Sequence, residues 1–484
     1  MIKSIIMIKK TNYSEHFRME VLEEICYMFF NGNLDKEINH LPFNIIPKGS
    51  DNHFRCCVYK ERAILKLRTL AAFGYSVNEI DEALPLTDFL LPEVEQKYKT
   101  NNKLLTVLES ACSACVKSRY MVSEICQGCL SRKCASSCPF NAITISNFKA
   151  HIDQDKCKNC GKCLEACPYN AILKIVVPCE DVCPVNAITK DDKGRANIDH
   201  SLCISCGKCI AICPFGAIME RRQILDVLRL LSSKKLAALV APSIIGQFGV
   251  PIENLVTALK EIGFEYVYEV ALGADITAKK EATEFKEKVI EEKQEFMTTS
   301  CCHAYVRLIK KHIPKLKQFV SETLTPMHYT AEIAKNEHPD CLTVFIGPCL
   351  SKRKEAQEDN LVDYVLTFQE LKAMISTKDI KDIDILSCNK DTLSKIPTKQ
   401  ARQFAIRGGV SEAVRSYSTI DHDLIKTELI TDLDKKNVLR LSAYANGHCQ
   451  TNLIEVMACK GGCIGGCNTV SPIKQANEDV IKFS

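Results

Sequence analysis

Between residues 106 and 220 the chain carries 16 of its 28 cysteines, and most of them share one spacing. Cys157, Cys160, Cys163 and Cys167 form C-x2-C-x2-C-x3-C followed by proline, and Cys203, Cys206, Cys209 and Cys213 repeat the run without deviation. Cys126, Cys129, Cys134 and Cys138 form a similar run with two extra residues between the second and third cysteines. A shortened run, Cys179 and Cys183, again ends in Cys-Pro. This is iron–sulfur spacing. The tight loop brings three sulfurs to one face of a cube, and the Cys-Pro turn aims the fourth the other way, toward a second cluster. Zinc or disulfides would account for cysteine pairs but not for repeated Cys-Pro endings.

The crossing rule assigns ligands. Cys126, Cys129 and Cys134 group with Cys167, and Cys157, Cys160 and Cys163 group with Cys138. In a second module, Cys203, Cys206 and Cys209 group with Cys183. Cys179 and Cys213 then lack two partners, and one unassigned C-x2-C remains, Cys112 and Cys115 in ESACSACV. The count closes at 16 cysteines and four [4Fe–4S] clusters, in α+β modules like those of bacterial ferredoxins.

The regions on either side are of another kind. Residues 1–105 show apolar residues at helical spacing in HFRMEVLEEICYMFF and ERAILKLRTLAAFGY, and are read as a small helical segment. Its Cys56–Cys57 doublet reads as two partly buried thiols, with a ligand or redox pair as the alternative. Residues 221–484 alternate apolar strands (LAALVAP, YVYEVAL, CLTVFIGP) with amphipathic helices (VPIENLVTALKEIG, KKEATEFKEKVIEEK). That alternation predicts an α/β domain of parallel sheets flanked by helices. A formal charge of +4 is too small to suggest nucleic acid. No apolar run reaches the ~18 residues of a membrane helix, and MIKSIIMIKK lacks a cleavage site, so neither a membrane span nor a signal peptide is expected, and the iron–sulfur spacing implies a cytoplasmic, anaerobic setting. No G-x-G-x-x-G follows a strand and no Walker A sequence occurs, so flavin, NAD and ATP are not expected.

Three loops of the last region carry chemistry: TSCCHAY (299–305), IGPCLSKRKEA (346–356) and TNLIEVMACKGGCIGGC (451–467). A cubane needs four thiolates. Cys459 and Cys463 can project from one turn, Cys349 can enter from a strand-end loop, and one of the neighbours Cys301 and Cys302 can ligate while the other stays free. A free thiol beside a metal suits proton transfer, and the compact cation of Lys352 suits an anionic group on the metal. Cys26, Cys341, Cys388 and Cys449 read as small apolar residues.

In content and order these loops resemble the active-site loops of the [FeFe]-hydrogenases, and the likeness covers roughly residues 112–468. The resemblance implies an H-cluster: a cubane held by Cys302, Cys349, Cys459 and Cys463, with Cys463 bridging to a diiron subsite that bears CO and CN− ligands. It implies Cys301 as proton relay, Lys352 holding one cyanide, and Met457 packed nearby. VAPS (240–243) looks like the family's A-P-S/A loop, where Ser243 and the backbone near Pro242 would donate to the other cyanide. LGADITAKKEATE (272–284) resembles the family's G-A-D-x-T helix. Its Glu281 and Glu284 match the relay carboxylates, Ser321 the relay serine and Glu355 the glutamate of the lysine loop. RGGVSEAV (407–414) resembles a further family motif.

His303 stands where most members have proline, Gly347 where they have methionine, and Cys467 is extra, departures that fit the branch often called group B. The implied activity is interconversion of H2 with protons and electrons. Ferredoxin or a similar carrier would be the electron partner, and maturation enzymes would supply the diiron unit. Two other functions compete. Hydrogenase-related iron–sulfur assembly factors lack the diiron unit, and the cysteine doublet with Lys352 weighs against them. H2 sensors usually carry a signalling domain, and none is visible in the sequence.

Overall fold

The fold is that of a computed structural model, which describes residues 12–50, 54–99, 102–116, 119–378, 380 and 396–484. Cys388 lies outside them. The described part of the N-terminal segment is helical, with Tyr13–Phe30 and Val58–Ala72 as its long helices. Asn12 caps the first by accepting from the Ser14 N–H.

Two small modules follow, each made of two antiparallel strand pairs. β1 (Leu105–Val107) opens the second module and is then interrupted by the whole of the first. The first comprises β2 (Arg119–Val122), the hairpin β3 (Ile143–Ser146) and β4 (Lys149–Ile152), and β5 (Ile172–Ile175). β2 pairs with β5, and β3 with β4. The second module resumes with the hairpin β6 (Ile188–Lys190) and β7 (Ala196–Ile198), and β8 (Ile218–Glu220) returns to pair with β1.

One turn recurs at every Cys-Pro ending. Asn141, Asn170, Asn186 and Gly216 take the left-handed conformation, with φ between 48° and 55°. The following alanine N–H then donates to the cysteine sulfur at 3.2–3.4 Å, from Ala142 to Cys138, Ala171 to Cys167, Ala187 to Cys183 and Ala217 to Cys213. Asparagine and glycine suit this position because they alone tolerate it readily.

The last region holds two parallel sheets. β9 (Leu236–Val240), β10 (Tyr266–Glu269), β12 (Leu342–Gly347) and β13 (Tyr364–Thr367) lie in the order β10-β9-β12-β13. β11 (Met297–Thr298), β14 (Thr427–Thr431) and β15 (Leu453–Met457) form the other in the order β11-β15-β14. β9 and β15 are buried along their whole length, as strands covered on both faces must be. The lysine-rich stretch from 279 does not start a helix. The helix runs Ala271–Phe285, because the small, buried faces of Ala271, Gly273, Ala274 and Ala278 pack on helix Pro326–Glu337, where Gly273 has no room for a side chain against the Pro326 carbonyl.

Candidate active site

Every chemistry-bearing loop of the last region leaves the carboxyl end of a parallel strand. Pro242 and Ser243 follow β9, Cys301 and Cys302 follow β11, Cys349 follows β12, and Cys459 and Cys463 follow β15. They converge on one cavity of about 880 Å³, lined also by Met457, Lys352, His303, Phe345 and Cys206. Cys302 accepts from the Ala458 N–H at 3.4 Å. Ser243 is wholly buried, lines the cavity, and its hydroxyl has no hydrogen-bond partner among the described residues. A buried, unpaired donor aimed into a space walled by thiols fits an acceptor-bearing cofactor better than an apolar ligand.

Lys352 donates to both oxygens of Glu355 at 2.9 and 2.8 Å. Burial works against its ammonium, yet the Glu355 carboxylate outweighs it and holds the lysine above its usual range. Thr325 donates to the same carboxylate, and His303 Nδ1 lies 3.6 Å from it. Burial, helped by Lys352 and Arg307, pushes His303 down to about 3, so its ring is neutral.

A line of polar groups leads away from Cys301. Burial and the Glu281 charge raise the Cys301 thiol well above its ordinary value. Glu281 is fully buried and accepts from the Ser300 N–H and hydroxyl at 3.1 and 3.3 Å, while its other oxygen has no partner among the described residues. Burial pushes it up to about 7. Ser321 donates to Glu284 at 2.6 Å, and its hydroxyl also favours the charged form of Glu281. Burial alone would raise Glu284, but hydrogen bonds from Ser321, the Glu322 N–H and Lys288 hold it below the usual carboxylate range. The charged helix that reads as a solvated face in isolation therefore turns one carboxylate fully inward.

The 16 cysteines between residues 106 and 220 line four smaller cavities of about 300–350 Å³. Cys126, Cys129, Cys134 and Cys167 surround one, and Cys138, Cys157, Cys160 and Cys163 another. Cys183, Cys203, Cys206 and Cys209 surround a third, and Cys112, Cys115, Cys179 and Cys213 the fourth. Cys206 belongs to the walls of both the third cavity and the large one. Cys467 joins neither lining. It packs on Gly207 near Cys206, and Asn468 donates to its sulfur at 3.5 Å.

The doublet Cys56–Cys57 differs from expectation. Cys56 is exposed and Cys57 half-buried, with sulfurs 3.8 Å apart, because the helix that Cys57 caps begins on the surface. Cys26 and Cys341 are buried, and Cys449 is half-buried, its sulfur 3.1 Å from the Thr451 carbonyl. Sequence reasoning missed Phe345. Its strand period puts it on the face of Gly347, where its ring fills the space a side chain at 347 would need.

Residues 234–467 match the family described as iron only hydrogenase large subunit, C-terminal domain. Residues 150–173 match the 4Fe-4S binding domain and 174–224 the LdpA Fe-S cluster-binding domain. Residues 234–467 therefore carry an [FeFe]-hydrogenase-like domain, preceded by iron–sulfur domains. Iron hydrogenase 1 of Clostridium pasteurianum is 28% identical over 45% of this chain and 46% of its own length. The periplasmic [Fe] hydrogenase large subunit of Nitratidesulfovibrio vulgaris is 27% identical over 46% of this chain and 65% of its own. A probable cytosolic Fe-S cluster assembly factor of Drosophila melanogaster is 24% identical over 44% of this chain and 55% of its own. The chain spans about half the length of the curated relatives it matches. Among the described residues, no helix is long and apolar enough to cross a membrane.

Proposed function

We propose that the chain is an iron-only hydrogenase that interconverts H2 with protons and electrons. The observation that carries this reading is the large cavity itself. It joins Cys302, Cys349, Cys459 and Cys463 to a spare thiol, a buried ammonium and an unpaired serine hydroxyl, in more than twice the volume of each four-cysteine cavity. Four thiolates suffice for a cubane, and the extra space and donors suit a second unit. A cubane joined to a diiron unit with CO and CN− ligands supplies, when bound, the making and breaking of H2.

The chain's own residues do the rest. Cys302, Cys349, Cys459 and Cys463 would hold the metal group. Lys352, kept charged and steady by Glu355, and Ser243, after the Ala241–Pro242 turn, would donate to anionic ligands on such a group, while Met457 and Phe345 line the cavity and exclude water. Cys301 exchanges the proton with Glu281, which passes it through Ser321 to Glu284 and the surface. Because Glu281 sits near 7, both of its protonation states are populated at neutral pH. Its pKa is raised on folding, so the protonated form persists up to about 7 and is lost as pH rises further. Cys206, on the wall of both the large cavity and the third small one, would be the chain's own link between the groups held there, and clusters in the two modules would supply a path for electrons to ferredoxin or a similar carrier.

Infrared spectroscopy of protein made anaerobically with diiron-maturation enzymes tests the reading, and CO and CN− bands are expected. Cubane signals without those bands would hand the function to the assembly-factor reading, which the Drosophila relative favours. Cys301→Ser should then keep the bands yet cut turnover by about 10²-fold or more, since the alcohol is a far weaker acid.

A further inference from the structure

The two most exposed large apolar side chains among the described residues are Leu130, 94% exposed, and Phe148, 91% exposed. They sit on touching stretches of chain. Leu130 follows Cys129, two residues after Gly128, where a Cβ would collide with the Phe148 carbonyl. The same stretches border the cavity of Cys126, Cys129, Cys134 and Cys167 through Gly128 and through Ala150 of β4.

Phe148 stands at a position that disfavours it. Ser146 pairs with Lys149, so Asn147 and Phe148 form a two-residue hairpin turn, with φ of 47° and 59°. Asn-Gly is the favoured pair for such a turn, and a bulky ring in the left-handed region is strained. Here the ring is strained and wholly out of the core, so it contributes nothing to folding. Strain of this kind persists where a contact outside the fold needs it. The cations alongside complete the pattern: Arg132 and Lys133 are exposed, and neither has an ion-pair partner among the described residues, whereas Lys149 is paired with Glu124.

The first module is also the outlying one. Its apolar core, around Tyr120, Ile143 and Ile172, is separate from the others, while the second module's core includes Leu350 from the helix after Cys349. An electron leaving the large cavity through Cys206 meets the second module first and the first module last.

We propose that Leu130, Phe148, Arg132 and Lys133 form the docking face for a small acidic one-electron carrier protein. This rests on the redox function proposed above. An apolar centre with a cationic rim gives such a partner a small, transient contact whose encounter rate is set by charge. Cluster loading would add negative charge inside the module, which works against an acidic partner, so the rim cations are needed to offset it at the surface.

Titration of the full, cluster-loaded chain with a small acidic bacterial ferredoxin tests this without turnover. Leu130→Ser/Phe148→Gly should weaken binding about tenfold or more. Phe148→Gly alone should melt no lower than the parent, since it relieves the turn, whereas a merely structural phenylalanine would lower the melting point. Arg132→Glu should weaken binding chiefly at low salt. Unchanged affinity in these variants, no ferredoxin binding by the parent, or a face covered by a second copy of the chain in solution would each overturn the proposal. Absence of dye-linked H2 turnover in the parent would count against the hydrogenase reading alone and leave the titration to decide the docking face.

Discussion

The two cysteine modules share one plan and differ in how the chain supplies it. The first is contiguous, from β2 to β5, and its two cavities are lined by its own residues. The second takes its first strand and its C-x2-C loop from residues 105–115 and the remainder from 178–220, with the whole first module between them. Closure comes from the β1–β8 ladder, in which Leu105, Thr106 and Val107 face Glu220, Met219 and Ile218. A pair of four-cysteine cavities therefore needs its strands paired, not its cysteines adjacent in sequence.

The interrupted module is also the gripped one. Arg18 of the first helix donates to the Ile210 carbonyl, and Arg55 and Arg68 donate to that of Phe215, so the helical segment clamps the end that bears Cys213. On its other side, Lys208 pairs with Asp432 of the α/β region. The insertion lets one module lie against the α/β region while the other reaches outward.

The comparison breaks or holds most visibly on iron. Cys126→Ala/Cys129→Ala should remove one cluster, about four irons, from the contiguous module. If the split module is its equal, Cys112→Ala/Cys115→Ala should also remove about four and leave the other cluster signals in place. Iron analysis and electron paramagnetic resonance of the full chain decide it. Unchanged iron in the second variant would sink the split site and move attention to Cys56 and Cys57.

Much of this was legible because metal spacing is local. Each Cys-Pro run declares its loop and turn within a dozen residues, and the strand-end position of Cys349 follows from CLTVFIGP directly. What stayed hidden depends on distant contacts. The β1–β8 pairing joins two three-residue strands with no periodicity of their own. Glu281 sits in a charged sequence that reads as solvated, and only packing beneath Ser300 shows it buried. The arginine clamp and the Phe345 ring are likewise matters of what lies opposite, which spacing does not carry.

A sharper test compares Gly161 with Gly207, which occupy equivalent places before the helices of the two modules and have φ of 84° and 78°. Alanine at either position costs roughly 1–2 kcal/mol for the left-handed backbone. At 161 the added carbon meets only the Tyr120 hydroxyl, the movable end of a side chain, at 2.9 Å. At 207 it runs into Cys467, wedged between the module and the α/β region, so Gly207→Ala should lose a further ~1–3 kcal/mol. Denaturant melts of the loaded protein should rank the two, and Cys467→Ala added to Gly207→Ala should restore part of the loss. Equal losses at both positions would mean that the second module is no more tightly seated than the first.

The smallest effect lies in the repeated Cys-Pro turn. Three copies place asparagine in the left-handed position, and the copy at Gly216 does not. A Cβ there would lie 2.9 Å from the Arg68 guanidinium and 3.1 Å from Ser14, both in the clamping helices. Asn170 is exposed and has no such neighbour to meet. Asn170→Gly should therefore change stability by no more than ~0.5 kcal/mol. Gly216→Asn should cost about 1 kcal/mol, because Arg68 must move off the Phe215 carbonyl and leave a buried charge less well paired. Adding Arg68→Ala to Gly216→Asn separates clash from turn chemistry. If the clamp is the reason for glycine, the asparagine substitution costs nothing further in that background, and a persisting cost would place the reason in the turn itself.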